Sequence, residues 1–321
     1  MNVEELSERV TRVHREVSKV VHGQEETVQQ VLVALLAGGH VLIEGVPGLG
    51  KTLLARSISH VIGATFKRIQ FTPDLMPSDV TGSMIFSQRE ERFVFSAGPI
   101  FTQLLLADEI NRAPAKTQAA LLEAMQDRTV TTDATTRALP KPFFVMATQN
   151  PVESQGTYPL PEAQLDRFLL MLSVQHPSRA AERRVVEQSL AGFETTDLSR
   201  TELSVALGAD DVVAMQGALG HVKVHPEIID YAIDIVARSR SHRSVSLGAS
   251  PRGSLGLVAC ARANAAASGR DFVVPDDVKS FAPAVLRHRL VLSPDAELEG
   301  TTSDDVISGI LNEAPVPKAV G

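Results

Sequence analysis

A glycine-rich loop lies between an apolar run and an amphipathic segment in residues 40–62. The apolar run "HVLIEG" (40–45) is typical of a buried strand, and "KTLLARSISHVI" (51–62) is typical of a helix. The loop "GVPGLGKT" (45–52) has the pattern G-x-x-x-x-G-K-T, in which free backbone N–H groups at a helix start point towards an anion. Because the pattern stands between a strand and a helix, it specifies a parallel sheet with a phosphate site at its edge.

Further strand-like runs alternate with helical segments in the first part of the chain. Residues 66–71 alternate polar and apolar side chains as a strand does, whereas residues 104–109, 143–150 and 167–174 are largely apolar runs. Uniformly apolar strands separated by helices indicate a parallel sheet that is covered on both faces. The predicted fold class is therefore α/β, with three layers of helix, sheet and helix.

The character of the chain changes after about residue 192, where amphipathic segments start with proline or aspartate and strand-like runs become rare. We therefore predict an αβα nucleotide-binding core, residues 1–192, and a helical lid domain, residues 193–321. Within the core, residues 82–98 and 128–139 are predicted to be β-hairpins, because strand-like residues flank a charged or polar turn.

The composition excludes several classes of function. With 321 residues, 44% of them hydrophobic, the chain can bury a large core, and its net charge of −7 gives no general attraction for nucleic acid or anionic membrane. No apolar run reaches the about 18 residues of a membrane span, and the charged start is unlike a signal peptide. The single cysteine, Cys260, cannot form an internal disulfide, so we expect a cytoplasmic protein.

Two adjacent carboxylates follow the apolar run in "LLLADEINRA" (104–113). A buried strand would carry Asp108 to the carboxyl edge of the sheet, where it could hold Mg²⁺, often through water. Glu109 is then placed to polarise a water molecule for attack on the γ-phosphorus of a nucleotide. The alternative is that the acids form ion pairs with Arg112 or with another base.

Polar residues of the loop and of a further strand complete the predicted site. Lys51 would reach the β- and γ-phosphates, and Thr52 would coordinate Mg²⁺. Asn150 ends the apolar run "FFVMATQN" and could hydrogen-bond the γ-phosphate or the attacking water. An asparagine before Pro151 is also a common turn residue, but its position at the edge of the sheet favours the phosphate role.

Four segments together resemble the MoxR family of AAA+ ATPases: "GVPGLGKT", "LLLADEINRAPAKTQAALLEAMQDRTVT", "FFVMATQNPVESQGTYPLPEAQLDRFLL" and "GASPRGSLGL". The resemblance extends from about residue 18 to about residue 312, and the order and spacing of the segments match throughout. It implies a P-loop AAA+ fold with a C-terminal helical lid, Mg²⁺-dependent hydrolysis of ATP, and a ring of subunits.

The resemblance also implies roles that the local sequence cannot supply. "LDRF" (165–168) is similar to the segment that carries the arginine finger, so Arg167 would act on the ATP of a neighbouring subunit; the plainer alternative is a surface arginine paired with a nearby acid. "SPR" (250–252) is similar to sensor 2, so Arg252 would reach the γ-phosphate from the helical domain. "VVHGQ" (20–24) is similar to the segment that packs on adenine. The residues expected to bind ATP are Val21, His22, Gly23, Gly45, Pro47, Gly48, Leu49, Gly50, Lys51, Thr52, Leu53 and Asp108, with Thr52 and Asp108 holding the metal.

The same resemblance implies a hexamer that assembles or activates a client protein together with a partner that has a von Willebrand factor A domain. A nucleic-acid motor and a chelatase-like subunit that drives metal insertion are the alternatives, while Glu109 argues against a non-hydrolysing switch. The hairpins would face the pore of the ring, unless they are only edge strands with solvated turns. Neither turn, "SQREER" nor "TTDATTR", has the cationic strip that tracking along nucleic acid requires. The role of Arg112, in trans or within the loop, stays open.

Overall fold

A five-stranded parallel sheet forms the centre of the computed structural model, which describes residues 1–151, 156–193 and 203–317. Its strands are β1 (Val41–Glu44), β2 (Phe66–Gln70), β5 (Leu104–Asp108), β8 (Phe144–Gln149) and β9 (Leu170–Ser173). Their order across the sheet is β2-β5-β8-β1-β9, and every neighbouring pair is parallel. The carboxyl ends of β1, β5 and β8 therefore lie side by side at one edge, where parallel sheets bind ligands.

Alternate side chains of the central strands enter two separate hydrophobic clusters, one on each face of the sheet. In β5, Leu104 and Leu106 join one cluster, whereas Leu105 and Ala107 join the other, and all four are buried. Burial of one leucine side chain stabilises the fold by about 1.5–3 kcal/mol. Covering both faces of the sheet with helices therefore contributes about twice the free energy of burial that one covered face would contribute, which explains why the strands are apolar throughout. The parallel sheet with a hydrophobic cluster on each face confirms the predicted α/β fold class.

Strand β2 lies at the edge of the sheet, and most of its side chains are exposed. Ile69 is buried, whereas Lys67, Arg68 and Gln70 are exposed. Side chains two positions apart point to the same face of a strand. Phe66, Arg68 and Gln70 therefore share one face, which matters for the site described below.

Helices cover the two faces of the sheet and form the lid. In the first part of the chain they are α1 (Val3–Val17), α2 (Glu25–Leu36), α3 (Lys51–Val61), α4 (Pro77–Thr81), α5 (Ala115–Asp127), α6 (Glu162–Leu165) and α7 (Arg179–Leu190). In the second part they are α8 (Ala209–Ala218), α9 (Pro226–Ser241), α10 (Pro251–Ala267), α11 (Pro275–Leu286), α12 (Pro294–Leu298) and α13 (Ser303–Glu313). None of these described helices has the length and apolar character needed to cross a lipid bilayer.

Antiparallel hairpins occupy both stretches where hairpins are predicted. They are β3 (Gly82–Ser87) with β4 (Arg92–Ala97), and β6 (Thr129–Thr132) with β7 (Thr135–Ala138). The second hairpin turns at Asp133 and Ala134, whose φ angles are 49° and 59°. Positive φ at both central residues is the mark of a type I′ turn, and alanine rarely adopts it, so this turn is hard to recognise from the sequence.

The lid is mostly helical, as predicted, but it also contains a short antiparallel pair, β10 (Val245–Leu247) with β11 (Val291–Leu292), that no pattern in the sequence predicts. Helix α10 packs against α1, α2, α9 and α11, and α11 also contacts β9. The predicted boundary between residues 192 and 193 adjoins residues 194–202, which lie outside the described residues. Its position stays a prediction.

Candidate functional site

The glycine-rich loop after β1 and the start of α3 line a cavity of about 650 Å³. Gly48 and Gly50 have φ angles of 87° and 74°, which glycine adopts without strain. Gly50 directly precedes Lys51, the first residue of α3, so the unpaired N–H groups of the helix start face the loop. The residues that line the cavity are Pro47, Gly48, Leu49, Gly50, Lys51, Thr52, Leu53, Arg56, Phe66, Arg68, Gln70, Asp108, Glu109 and Asn150.

Lys51 lies at this cavity with a backbone carbonyl as its hydrogen-bond partner. Its Nζ donates to the carbonyl oxygen of Gly45 at 2.5 Å. Burial lowers the pKa of Lys51, although the carboxylates of Asp108, Glu109 and Glu44 act in the opposite direction. An anion bound beside the ammonium group would favour its charged form. The electrostatics of Lys51 therefore suit a phosphate ligand.

Asp108 ends β5 and is held by side chains of both neighbouring strands. Its Oδ1 accepts a hydrogen bond from the hydroxyl of Thr148 on β8 at 2.6 Å, and its Oδ2 accepts one from Nη2 of Arg68 on β2 at 2.7 Å. The side chain of Arg68 is 48% exposed. It can therefore move away from Asp108 and leave a carboxylate oxygen for a metal ion without any change in the core.

Glu109 has a left-handed backbone conformation, with φ 55° and ψ 51°. This conformation costs a residue other than glycine of the order of 1–3 kcal/mol, and such strain is concentrated at functional sites. The N–H of Glu109 donates to the hydroxyl of Thr148 at 2.9 Å, while its Oε2 accepts from Gln70 at 2.7 Å and from Arg112 at 3.0 Å. The same threonine thus orients both adjacent acids.

Both acids form ion pairs in this structure, Asp108 with Arg68 and Glu109 with Arg112, as the alternative interpretation of the sequence expected. They nevertheless line the cavity beside Thr52, so the two interpretations are compatible. Among the described residues there is no cluster of three or more His, Cys, Asp or Glu side chains that could hold a metal ion. Mg²⁺ needs no such cluster, since it binds through one or two carboxylates together with phosphates and water. Thr52 and Asp108 supply oxygen atoms of that kind.

Asn150 directly follows β8, and its side chain is buried at the same cavity. The loop after β1 lies next to it, because β1 and β8 are paired. Residues that are distant in sequence thus meet because parallel strands end at one edge of the sheet.

Arg56, Phe66, Arg68 and Gln70 also line the cavity but are not among the sequence-predicted site residues. The alternating pattern of residues 66–71 contains the signal for three of them, because it assigns Phe66, Arg68 and Gln70 to one face. Arg56 lies four residues after Thr52, which places it one helical turn further along the same side of α3.

The segment expected to contact adenine adjoins the loop but does not line the cavity. Val21 is 4% exposed and packs in the core. Gly23 has a φ angle of 71°, and a Cβ atom there would come within 2.6 Å of a side chain of α7. Gln24 joins the segment to the loop, since its Nε2 donates to the carbonyl oxygen of Leu49 at 2.7 Å. An adenine contact by Val21, His22 and Gly23 stays a prediction.

Arg167 and Arg252 line a second cavity, of about 300 Å³, that shares no lining residue with the first. Asp166 lies between the core and the lid here: its Oδ2 accepts from the hydroxyl of Ser250 at 3.0 Å and is 4.0 Å from Nε of Arg252. The start of α10 is thus held against residues 166–169 and away from the glycine-rich loop of its own chain. Arg252 does not line the cavity at the glycine-rich loop, and its contact with the γ-phosphate stays a prediction.

Known proteins resemble both parts of the chain. A family model described as "ATPase family associated with various cellular activities (AAA)" matches residues 40–170, and an "AAA lid domain" model matches residues 237–310. Chaperone MoxR1 of Mycobacterium tuberculosis is 44% identical over 94% of this chain and 81% of its own length. The chain belongs to the MoxR family of AAA+ ATPases. Members of this class bind nucleotide together with Mg²⁺, and the cavity at the glycine-rich loop is the candidate site.

Two further relatives of this MoxR-family chain match over almost its whole length. The uncharacterized protein YeaC of Bacillus subtilis is 45% identical over 98% of this chain and 97% of its own. A crystal structure from Cytophaga hutchinsonii, described as that of a candidate ATPase, superimposes with a TM-score of 0.89 at 37% identity and covers 98% of this chain and 97% of its own. Core and lid therefore occur together in proteins of this length.

Proposed function

We propose that the protein hydrolyses ATP at the cavity beside the glycine-rich loop and couples hydrolysis to the assembly or activation of other proteins. The observation that carries the proposal is that Lys51, Thr52, Asp108, Glu109 and Asn150 line one cavity, although they come from separate stretches of the sequence. Together they supply a phosphate cradle, metal ligands and groups to orient water. These are the parts that phosphoryl transfer to water requires.

Binding of the triphosphate would replace the present partners of Lys51 and Asp108, which are the carbonyl oxygen of Gly45 and the side chain of Arg68. Lys51 leaves the carbonyl oxygen of Gly45 and donates to phosphate oxygens, which are stronger acceptors because they are charged. Asp108 would leave Arg68 and, together with Thr52, would hold Mg²⁺ through its carboxylate oxygen. A bound Mg²⁺ would supply positive charge that offsets the negative charge of the phosphates. The N–H groups at the start of α3 hold the same phosphates.

Glu109 and Asn150 would orient the attacking water. Glu109 has two partners, of which Gln70 is neutral and Arg112 is cationic. Release from Arg112 leaves a carboxylate that Gln70 still holds beside the cavity, where it can accept a hydrogen bond from the attacking water. Asn150 at the end of β8 would donate to the γ-phosphate or to that water, so both groups act from neighbouring strand ends.

Arg167 and Arg252 support a site that is completed between subunits. Both lie at the second cavity, and a neighbouring copy that placed its nucleotide there would receive two cations from one surface. A donor surface and an acceptor surface on each subunit generate a ring or a helix, and the family resemblance favours a hexameric ring. An arginine supplied in trans typically accelerates phosphoryl transfer by about 10³–10⁵-fold, so a lone subunit would be nearly inactive.

The hairpins favour a protein client over nucleic acid. Phe86 and Phe93 pack edge to face at 5.5 Å and are still 56% and 64% exposed. Arg92 is paired with a neighbouring glutamate, and Arg137 of the second hairpin stacks on Phe95 at 3.9 Å. Exposed aromatic groups suit apolar polypeptide segments, whereas a phosphate backbone requires available cations. The name of the relative Chaperone MoxR1 points in the same direction, and a von Willebrand factor A domain partner would select the client.

ATP hydrolysis per subunit, measured with Mg²⁺ over a wide range of protein concentration, tests the proposal. We expect the specific rate to rise with concentration, and the Glu109→Gln protein to stay inactive throughout. A rate that stays constant down to concentrations at which sizing detects only monomers would contradict the trans arrangement. Absence of Mg²⁺-dependent hydrolysis at every concentration would contradict the proposed activity itself.

A further inference from the structure

We propose that Arg289 is a positioning residue for hydrolysis: together with Asp166 it fixes Arg167 and Arg252 in one arrangement on the surface that each subunit presents to the next. The inference rests on the proposed function, because it concerns the arginines that act in trans. Arg289 belongs to the lid, just after α11, and lines the same cavity as the two arginines.

Arg289 holds the core segment on both sides of Arg167. Its Nε donates to Oδ1 of Asp166 at 2.7 Å, its Nη2 to the carbonyl oxygen of Phe168 at 2.7 Å, and its Nη1 to that of Leu169 at 3.2 Å. The residues before and after Arg167 are thus bonded to one guanidinium group. Since that group is planar and rigid, it fixes the backbone from which the side chain of Arg167 projects.

Asp166 connects the same guanidinium group to the second arginine. One carboxylate oxygen accepts from Arg289, and the other accepts from the hydroxyl of Ser250 and faces Nε of Arg252. Ser250 is also the residue that caps α10, because its hydroxyl accepts from the N–H of Arg252 at 3.2 Å. A single carboxylate therefore links the position of the core arginine to that of the lid arginine.

The burial of Arg289 argues for a role in geometry and against a role in packing alone. Its side chain is only 3% exposed, and burial lowers the pKa of the guanidinium, while Asp166 raises it. A buried ion pair often stabilises a fold no better than apolar side chains of the same volume would, whereas its hydrogen bonds impose one arrangement. The neighbouring His288 brings no second charge, because burial and Arg289 lower its pKa well below the usual value.

Mixed oligomers separate a positioning role from a structural one. A donor subunit with Glu109→Gln cannot activate water but can supply arginines, and an acceptor subunit with Arg167→Ala keeps its own nucleotide site. Asp166→Asn or Arg289→Lys is then placed either in the donor or in the acceptor. We expect the ATPase activity of the mixture to fall by between about tenfold and a hundredfold when the donor carries the change. When the acceptor carries it, kcat and KM should stay within about twofold, because the acceptor site does not use its own arginines.

The chain offers a matched control in the lid. Asp277 is buried and pairs with Arg270 at 2.6 Å, and neither residue lines the arginine cavity. Asp277→Asn therefore tests the loss of a buried carboxylate that stabilises only the lid. We expect it to change the activity of the mixture equally in donor and acceptor.

Two outcomes overturn the inference. If Asp166→Asn and Arg289→Lys lower activity equally in donor and acceptor, as the control does, their role is structural. If the mixture of Glu109→Gln and Arg167→Ala subunits regains no activity, the proposed trans arrangement is wrong. Amide hydrogen exchange then tests whether Asp166 and Arg289 fix residues 166–169. Faster amide exchange in residues 166–169 of Asp166→Asn protein than of Asp277→Asn protein would support the clamp on this segment, and unchanged exchange would remove it.

Discussion

The two cavities that contain the candidate catalytic residues are built in different ways. The cavity at the glycine-rich loop is lined by that loop, by the first turns of α3, and by residues in or directly after strands β2, β5 and β8. The arginine cavity joins Asp166 to Ser250 and Arg289, which are 84 and 123 residues away along the chain. A phosphate site can therefore be recognised from contiguous motifs, whereas the surface that would complete it depends on how the lid packs on the core.

The cavities also differ in the partners of their cations, half-buried Lys51 in the first and buried Arg289 in the second. Lys51 has a carbonyl oxygen as its hydrogen-bond partner, and burial lowers its pKa. An anionic ligand would therefore stabilise the charged form of Lys51. Arg289 is already bonded to a carboxylate and to several carbonyl oxygens. The first cation is available to a ligand, and the second is committed to the fold.

Arg167→Ala should show most clearly that the two cavities have different roles, one in nucleotide binding and one in completing the site of a neighbouring subunit. We expect ATP hydrolysis at saturating ATP to fall by about 10³–10⁵-fold, while nucleotide affinity changes by less than about twofold, because Arg167 does not line the nucleotide cavity of its own chain. Steady-state kinetics and binding of a fluorescent nucleotide measure the two quantities. Arg183→Ala, at an arginine on α7 that is 80% exposed, is the control. A parallel loss of nucleotide affinity in Arg167→Ala would mean that this arginine acts in the nucleotide site of its own subunit. The different roles assigned to the two cavities would then be wrong.

Arg289→Met and Lys51→Met should have opposite effects on the stability of the nucleotide-free protein. Arg289→Met leaves Asp166 without its main partner, and breaking a buried ion pair costs about 3–5 kcal/mol of unfolding free energy. Lys51→Met removes a cation whose pKa is lowered on folding, so the charged form opposes folding below that pKa and its removal should raise the melting temperature at neutral pH. Thermal unfolding without nucleotide checks both. A lower melting temperature for Lys51→Met would show that the lysine stabilises the free fold.

Gly50→Ala should weaken nucleotide binding without any steric clash. The nearest atom to a Cβ at this position is 3.8 Å away, but the φ angle is 74°. A left-handed conformation costs a residue other than glycine about 1–2 kcal/mol, so we expect ATP affinity to fall by about tenfold as the loop relaxes. Isothermal titration measures this. Gly217→Ala in α8, where the φ angle is not positive and nothing lies within 4 Å, should leave affinity unchanged, and an equal effect of both changes would exclude loop strain as the cause.

Arg68→Ala should have the smallest effect, and it should be favourable. Removing Arg68 leaves a carboxylate oxygen of Asp108 available to Mg²⁺, and an ion pair with one solvent-exposed partner, here Arg68, is worth about 0.2–1 kcal/mol. The Mg²⁺ concentration for half-maximal ATPase activity should therefore fall by up to about fivefold. Arg92→Ala, which removes a hairpin ion pair, is the matched control. An unchanged or higher Mg²⁺ requirement would mean that Arg68 helps to bind the nucleotide instead of competing with the metal.

Much of the fold was predictable because local rules act over a few residues. The apolar runs at residues 104–109 and 143–150 predicted buried parallel strands, since both faces of a covered sheet require apolar side chains. The alternation of residues 66–71 predicted the edge strand. It did not predict which face of that strand would line a cavity. The pair β10 and β11 was missed because strands of two or three residues have no periodicity to detect.

The order of strand, glycine-rich loop and helix, and the position of Asp108 and Glu109 at a strand end, were determined by the sequence alone. Hydrogen bonding, backbone freedom and side-chain periodicity act between near neighbours, so a short motif contains them. Only the tertiary structure decided that Arg68 pairs with Asp108, that Arg252 lies at the same cavity as Arg167, and that Arg289 holds the segment around Arg167 and is linked to Arg252 through Asp166. Those contacts depend on the packing of sheet and lid over long separations, where the free energy of burying a whole surface determines which side chains meet.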